Sequence, residues 1–334
     1  MTIRISGTGS ALPQRTVTNT ELTELVDTSD QWIRERTGIG ERRISTGETV
    51  AALAADACRQ ALDMAGKTAS EVELILVATC TPELLLPCCG CQVQSMLGAS
   101  QAAAFDLNAA CAGFLFALDT VYAYLKAGIY RNALVVGSEV ISKLVDWSDR
   151  STCVLFGDGA GAVFVEAANE DVICENGRTA GVEALLQGAD GSKGSVLSCQ
   201  ERPVQNPFLP EQPEACAGPY VHMDGREVYK FATRQVPACI LAALEQAELT
   251  VEDVDLFLLH QANERIIAAA AKRLGAELDK FPMNLQRLGN MSSATIPVLL
   301  DELNRAGRIH KGDRLVLSGF GAGLTYGATV LVWG

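Results

Sequence analysis

Short apolar runs alternate with longer amphipathic stretches along this chain of 334 residues. Leu74-Ile-Leu-Val-Ala78, Ala133-Leu-Val-Val-Gly137 and Leu315-Val-Leu-Ser-Gly319 have the length and composition of strands buried on both faces. The pattern also repeats. Ala61–Ala78 lies without gaps on Ala243–His260, and in each a helix ends, an acidic turn follows and an apolar strand emerges. In a second block Cys111 stands seventeen residues before Gly128, and Asn290 seventeen before Gly307. Each of these glycines closes an Ala-Gly pair and is followed by a polar turn and a strand. Strands alternating with helices predict an α/β fold of parallel βαβ units with sheets covered on both faces. The duplication predicts two halves, residues 1–170 and 171–334, related by a pseudo-twofold axis that brings equivalent loops together.

Those central loops carry the candidate chemistry. Cys111 sits where the apolar strand Ala104-Phe-Asp-Leu107 turns, through small residues, into the amphipathic helix that begins near Phe114. A thiol at the first turn of a helix meets unpaired N–H groups and the positive end of the helix dipole, and both favour the nucleophilic thiolate. His260 ends a strand of the second half, and the shared spacing makes Asn290 the second-half counterpart of Cys111. All three are therefore expected to converge. A Cys, a His and an Asn can form a protease-like group in which Asn orients His and His deprotonates Cys. They can equally serve a condensing enzyme, in which the thiolate takes an acyl group from a thioester and a malonyl thioester then loses CO2. The resulting enolate needs hydrogen-bond donors, which an imidazole N–H and a carboxamide supply.

The Gly319-Phe-Gly-Ala-Gly323 block favours the second reading, because a Gly-rich loop between strands lets backbone approach a reacting carbonyl. An N–H from that loop and the N–H of Cys111 would form an oxyanion hole. Neither this loop nor Phe156-Gly-Asp-Gly-Ala-Gly161 opens a helix, so neither fits a phosphate or dinucleotide site. A formal net charge of −13 argues against broad contact with nucleic acid or an anionic membrane. The first residues lack a signal peptide's apolar stretch and no run suffices to span a bilayer, so a cytoplasmic protein with eleven reduced cysteines is expected. Cys80, Cys88, Cys89 and Cys91 cluster without the paired spacing of a zinc site, and no metal is expected there.

Six separated motifs then identify a resemblance covering nearly the whole chain. They are Asp27-Thr-Ser-Asp-Gln-Trp-Ile33 with Arg36-Thr-Gly-Ile39, the Cys111 block, Phe156–Gly161, His260-Gln-Ala-Asn263, Gly289-Asn290 and Gly319–Gly323. Together they resemble the β-ketoacyl-[acyl-carrier-protein] synthase III family, the condensing enzymes that initiate bacterial fatty-acid synthesis. The resemblance implies a thiolase-like, layered αβαβα sandwich. It implies Cys111, His260 and Asn290 as the catalytic residues, and the backbone of Cys111 and Ala322 as the oxyanion hole. It implies Thr28, Trp32, Arg36, Arg150 and Asn263 at the coenzyme A site, and Lys230, Arg265, Lys272 and Arg273 in docking an acidic acyl carrier protein. Acyl-CoA and malonyl-carrier would be substrates, no cofactor is implied, and members are homodimers whose acyl-pocket gate reaches across the interface.

Three departures from the family pattern bear on the primer. Leu86 stands at the gate, where acetyl-preferring members have Phe, so a longer or branched starter could enter. Ala322 replaces a frequent glycine but keeps its N–H. The segment from about Ser195 to Gly218, flanked and punctuated by prolines, fits the family poorly and reads as a loop near the entrance. Outside the initiating reaction, the alternatives are a specialised starter enzyme or non-condensing acyltransferase of a secondary-metabolite pathway, and a catalytically silent subunit.

Overall fold

A computed structural model describes residues 2–168, 170–200 and 220–334. Two sheets organise it. The first contains β1 (Thr2–Ala11), β2 (Leu74–Ala78), β3 (Ala103–Leu107), β4 (Asn132–Val140) and β5 (Asp158–Ala168), in the order β1-β5-β4-β2-β3. The second contains β6 (Gly181–Ala189), β7 (Leu256–Leu259), β8 (Arg314–Gly321) and β9 (Thr325–Val332), in the order β7-β8-β9-β6. The expectation of parallel units is met only in part. β2 lies parallel to both β3 and β4, and β7 parallel to β8, whereas the remaining pairs are antiparallel. The β8–β9 pair is a tight hairpin that needs no crossover helix, whereas β1–β5 and β6–β9 pair strands distant in sequence.

Among the described residues, the helices of eight residues or more are α1 (Asp30–Thr37), α2 (Val50–Ala65), α3 (Cys89–Leu97), α4 (Gly113–Lys126), α5 (Gly225–Gln246), α6 (Glu264–Leu274) and α7 (Thr295–Arg305). Strand alternation decides the layers. Leu74 and Leu76 of β2, and Leu258 of β7, point inward onto Phe114, Leu118, Ile296 and Leu300 of α4 and α7. Ile75 and Val77 point outward onto α2 and α3. Phe257 and Leu259 point outward onto α5 and α6. The result is the thiolase fold, an αβαβα sandwich with α4 and α7 as its middle layer.

The duplication is visible in the register. A constant shift of 182 carries Leu74 to Leu256, Asn132 to Arg314 and Gly113 to Thr295. That shift corrects one expectation, because it pairs Cys111 with Ser293 and Asn108 with Asn290. The equal seventeen-residue spacings arise because α7 has 11 residues against 14 in α4, while the following connection is longer by the same three.

Candidate active site

The two elbows ahead of α4 and α7 are built alike. Ala110–Ala112 and Ser292–Ala294 are single 3-10 turns, and each begins on a non-glycine residue with left-handed backbone, Ala110 at φ 47° and Ser292 at φ 49°. Such a conformation costs about 1–3 kcal/mol and needs local support. An asparagine supplies it in both cases. Asn108 Oδ1 accepts from Ala110 N–H at 3.1 Å, and Asn290 Oδ1 accepts from Ser292 N–H at 2.9 Å. The first elbow sets Cys111 at the head of α4, facing a cavity of about 850 Å³ that His260, Asn290, Ser292, Phe320, Gly321 and Ala322 also line.

Burial dominates the electrostatics. The Cys111 thiol is pushed up to about 12 by loss of water, opposed by the Ser292 hydroxyl and reinforced by the Glu139 carboxylate. The expected resting thiolate is therefore corrected: the helix terminus does not offset desolvation at this buried position. Burial also pushes His260 down to about 3, so its imidazole is neutral. His260 Nδ1 lies 2.6 Å from Thr295 Oγ1, which is itself 3.0 Å from the Ser292 carbonyl. Thr295 has one hydroxyl proton. Given to the carbonyl, it leaves Nδ1 protonated and Nε2 with a lone pair; given to Nδ1, it leaves an Nε2–H donor. The Asn290 amide has no such freedom. Its oxygen is held by Ser292, which leaves the NH2 group for the cavity.

The β8–β9 hairpin closes the opposite wall. A Cβ added at Gly321 would lie 2.6 Å from Cys111 N and 3.0 Å from Ala112 N, so glycine is what allows this strand end to abut the elbow. Thr325 Oγ1 sits within hydrogen-bond distance of the carbonyls of both Ala109 and Ala322 and ties hairpin to elbow. The Cys111 N–H is directed at its own sulfur, and Ala322 lines the same cavity.

At the mouth, two guanidinium groups lie over the Trp32 ring, Arg36 at 4.8 Å and Arg150 at 5.0 Å from its centre. Trp32, Arg36 and Asn263 line the cavity; Arg150 is anchored on the Asp27 carbonyl. Thr28 stands apart from the cavity lining, and its buried hydroxyl has no partner among the described residues. Asn263 caps α6 through Arg265 N–H and donates to the Arg36 carbonyl, so both ends of its amide hold the mouth together. Leu86 is 88% exposed and does not reach its own chain's cavity, which Leu85 lines instead. Arg265, Lys272 and Arg273 are exposed on α6, Arg265 over the Tyr229 ring, while Lys230 on α5 is paired with Glu227. Leu197–Cys199, expected as loop, is a strand paired with Val221–Met223 beside the cavity; residues 201–219 lie outside the described residues. Cys88 and Cys91 touch at 3.4 Å on α3, whereas Cys80 lies against Glu139.

A duplicated five-layer sandwich, with a cysteine heading one central helix and a histidine and asparagine around the same cavity, defines a thiolase-fold condensing enzyme. Comparison with known proteins narrows this. The family model described as 3-oxoacyl-[acyl-carrier-protein] synthase III matches residues 105–180, and that for the C-terminal part of the same family matches residues 244–333. The chain is 47% identical over 331 residues to the β-ketoacyl-[acyl-carrier-protein] synthase III of Clostridium acetobutylicum, covering 99% of this chain and 98% of that one. A crystal structure of 3-oxoacyl-[acyl-carrier-protein] synthase III from Aquifex aeolicus VF5 superposes with a TM-score of 0.91 at 40% identity, covering 99% and 100% of the two chains. The priming β-ketosynthase of the R1128 polyketide pathway gives 0.90 at 36% identity, covering 99% and 96%. The chain belongs to the 3-oxoacyl-[acyl-carrier-protein] synthase III family.

Sequence reasoning missed Thr295 and Ser292, and named Gly321 only as part of the Gly319–Gly323 block. Aligning the halves by their strands, with the shift of 182, would have drawn attention to the second elbow and hence to Ser292 and Thr295.

Proposed function

We infer that the protein catalyses the decarboxylative condensation of an acyl-CoA primer with malonyl-acyl carrier protein, giving 3-oxoacyl-carrier, CoA and CO2, and so initiates fatty-acid synthesis. The observation that carries this is the meeting of Cys111, His260 and Asn290 around one cavity in a chain of this family. The primer carbonyl oxygen binds between the N–H groups of Cys111 and Ala322, where charge develops on attack. Because thiol and imidazole both rest neutral, the thiol proton leaves only as sulfur bonds to carbon. His260 Nε2 takes it and returns it to the departing CoA sulfur. Malonyl-carrier follows. Its thioester oxygen accepts from His260 Nε2–H, with Thr295 now donating to Nδ1, and from the Asn290 amide. CO2 departs, the enolate carbon attacks the acyl carbonyl, and the C–S bond breaks to release the Cys111 thiolate, which takes up a proton from water.

Trp32, with Arg36 and Arg150 over its ring, offers a flat, cationic platform suited to the adenine and phosphates of coenzyme A. Asn263 completes that mouth, with Thr28 four residues before Trp32 in the chain. Arg265, Lys272, Arg273 and Lys230 provide a basic spot for an acidic carrier on an otherwise negative protein. A homodimer formed along the outer edge of β3, beside exposed Leu84, Leu85, Leu86 and Met96, would carry Leu86 toward the partner's acyl pocket. Relatives at 43–47% identity bear the synthase III name and the polyketide priming enzyme stands at 36%, which favours the initiating reaction over a specialised starter role. The test is product formation from purified protein: turnover should require both acyl-CoA and malonyl-carrier and vanish in Cys111→Ala. Product formed without Cys111 would refute the reading.

A further inference from the structure

Glu139, at the end of β4, is a fully buried carboxylate that the reaction above does not use. It gathers donors from both halves of the fold. Thr81 Oγ1 lies at 2.5 Å and Thr79 Oγ1 at 3.2 Å, and the Cys80 N–H donates at 3.2 Å. From the second half, Ser292 Oγ and Ser293 Oγ each lie at 3.0 Å. No cation pairs with it among the described residues. Burial pushes the Glu139 carboxyl up, and the hydrogen bonds from Thr81, Ser293, Cys80 and Ser292 oppose that and tie the two halves together.

What they hold is the elbow of the second half. Ser292 N–H fixes the Asn290 amide, the Ser292 carbonyl receives Thr295 Oγ1, and Thr295 contacts His260 Nδ1. The Ser292 hydroxyl also interacts with the Cys111 sulfur. One residue in the left-handed conformation thus touches all three members of the site, directly or through one atom, and its side chain is anchored on Glu139. Pseudo-symmetry explains the vacancy that Glu139 fills. The shift of 182 carries Glu139 to Gly321, the glycine that leaves open the space beside Cys111. In the first half a carboxylate occupies the corresponding space beside Ser293.

We propose that Glu139 is a positioning residue for the condensation: through Ser292 it orients the Asn290 amide and the His260–Thr295 pair, and it restrains the Ser292 hydroxyl from the Cys111 sulfur. This rests on the reaction proposed above. It predicts that the two half-reactions respond differently when Glu139 is replaced by an uncharged residue. Among the described residues, the other titratable or charged groups lining the cavity of Cys111 are Arg36, Cys80, Lys143, Cys199, Tyr229 and His260.

The test compares Glu139→Gln and Glu139→Asp with the wild type in three measurements. These are CO2 release from malonyl-carrier, acylation of Cys111 by acyl-CoA, and the pH profile of Cys111 alkylation by iodoacetamide. Glu139→Gln should release CO2 about tenfold to a hundredfold more slowly, the scale expected when catalytic donors shift by up to an ångström. Its alkylation profile should move to lower pH, since a negative charge has gone and the Ser292 hydroxyl is free to meet the thiolate; acylation should hold or rise. Glu139→Asp should return the profile toward the wild type and recover part of the CO2 release. Unchanged CO2 release with an unmoved alkylation profile overturns the proposal, and so does an equal loss in both half-reactions. If Glu139→Gln does not fold, Ser292→Ala, which removes one of the donors, carries the same test: selective loss of CO2 release supports the proposal and unchanged release overturns it. A wild type that releases no CO2 defeats the proposed reaction itself, while the alkylation profile, which needs no carrier, still decides whether Glu139 acts on Cys111.

Discussion

Replacing Gly321 with alanine puts the geometry of the nucleophile elbow to a quantitative test. The added Cβ would stand 2.6 Å from Cys111 N, roughly 0.8 Å inside the 3.4 Å at which ordinary contact begins, and 3.2 Å from Ala110 Cβ. Both neighbours are backbone or directly attached to it, so no side chain can swing aside. Overpacking of this kind typically costs about 1–3 kcal/mol of stability. The effect on chemistry should be larger. A shift of about 0.8 Å stretches a 2.9 Å hydrogen bond to about 3.7 Å, beyond useful range. Loss of one oxyanion donor costs about 10²–10³ in rate. Single-turnover acylation of Cys111 by acyl-CoA, followed by mass spectrometry, should therefore slow at least a hundredfold in Gly321→Ala. Gly275→Ala serves as the control, because its Cβ would meet nothing within 4 Å while its φ of 69° still imposes strain. That variant should lose stability and keep its acylation rate. Acylation of Gly321→Ala within threefold of the wild type would refute the reasoning that this glycine holds open the oxyanion side of Cys111.

Three further outcomes follow. Between about pH 3 and 6.5 the unfolded chain binds a proton at His260 that the native protein does not, so stability falls as pH drops through that window, by at most about 1.4 kcal/mol per unit; His260→Gln should flatten this slope in acid denaturation curves. Trp32→Ala should raise the KM for acyl-CoA about tenfold with kcat little changed, because base stacking of about 1–3 kcal/mol is felt equally in ground and transition states; a fall in kcat at unchanged KM would remove Trp32 from the binding platform. Arg265→Glu should weaken carrier-dependent turnover and leave acylation by acyl-CoA intact, and equal loss in both assays would exclude Arg265 from carrier docking.

Much of the fold was legible because strand and helix periods are strong signals in this chain. Leu74–Ala78 and Leu256–Leu259 are apolar throughout, so they read as central strands, and their shared flanks exposed the duplication. The antiparallel strands β1, β5, β6 and β9 were less evident, since adjacency within a sheet depends on partners distant in sequence. The site was legible where motif and position coincide, at Cys111, His260 and Asn290. It was misread where spacing was trusted over register. The seventeen-residue interval paired Asn290 with Cys111, although the shorter α7 hid a three-residue offset. The resting state of the thiol was also misjudged, because a sequence displays the helix terminus but not the burial that outweighs it. Glu139 was invisible for the same reason: an acidic residue at a strand end looks solvated until the opposite half closes over it.

The most direct measurement is the stoichiometry of a single turnover. Protein carrying an acyl group on Cys111, freed of excess acyl-CoA, is mixed with labelled malonyl-carrier, and the acyl-enzyme, CO2 and carrier masses are followed together. The account predicts one CO2 released for each acyl group leaving Cys111, and a carrier bearing a 3-oxoacyl chain two carbons longer than the primer. Transfer of the acyl group to the carrier without CO2 would contradict it.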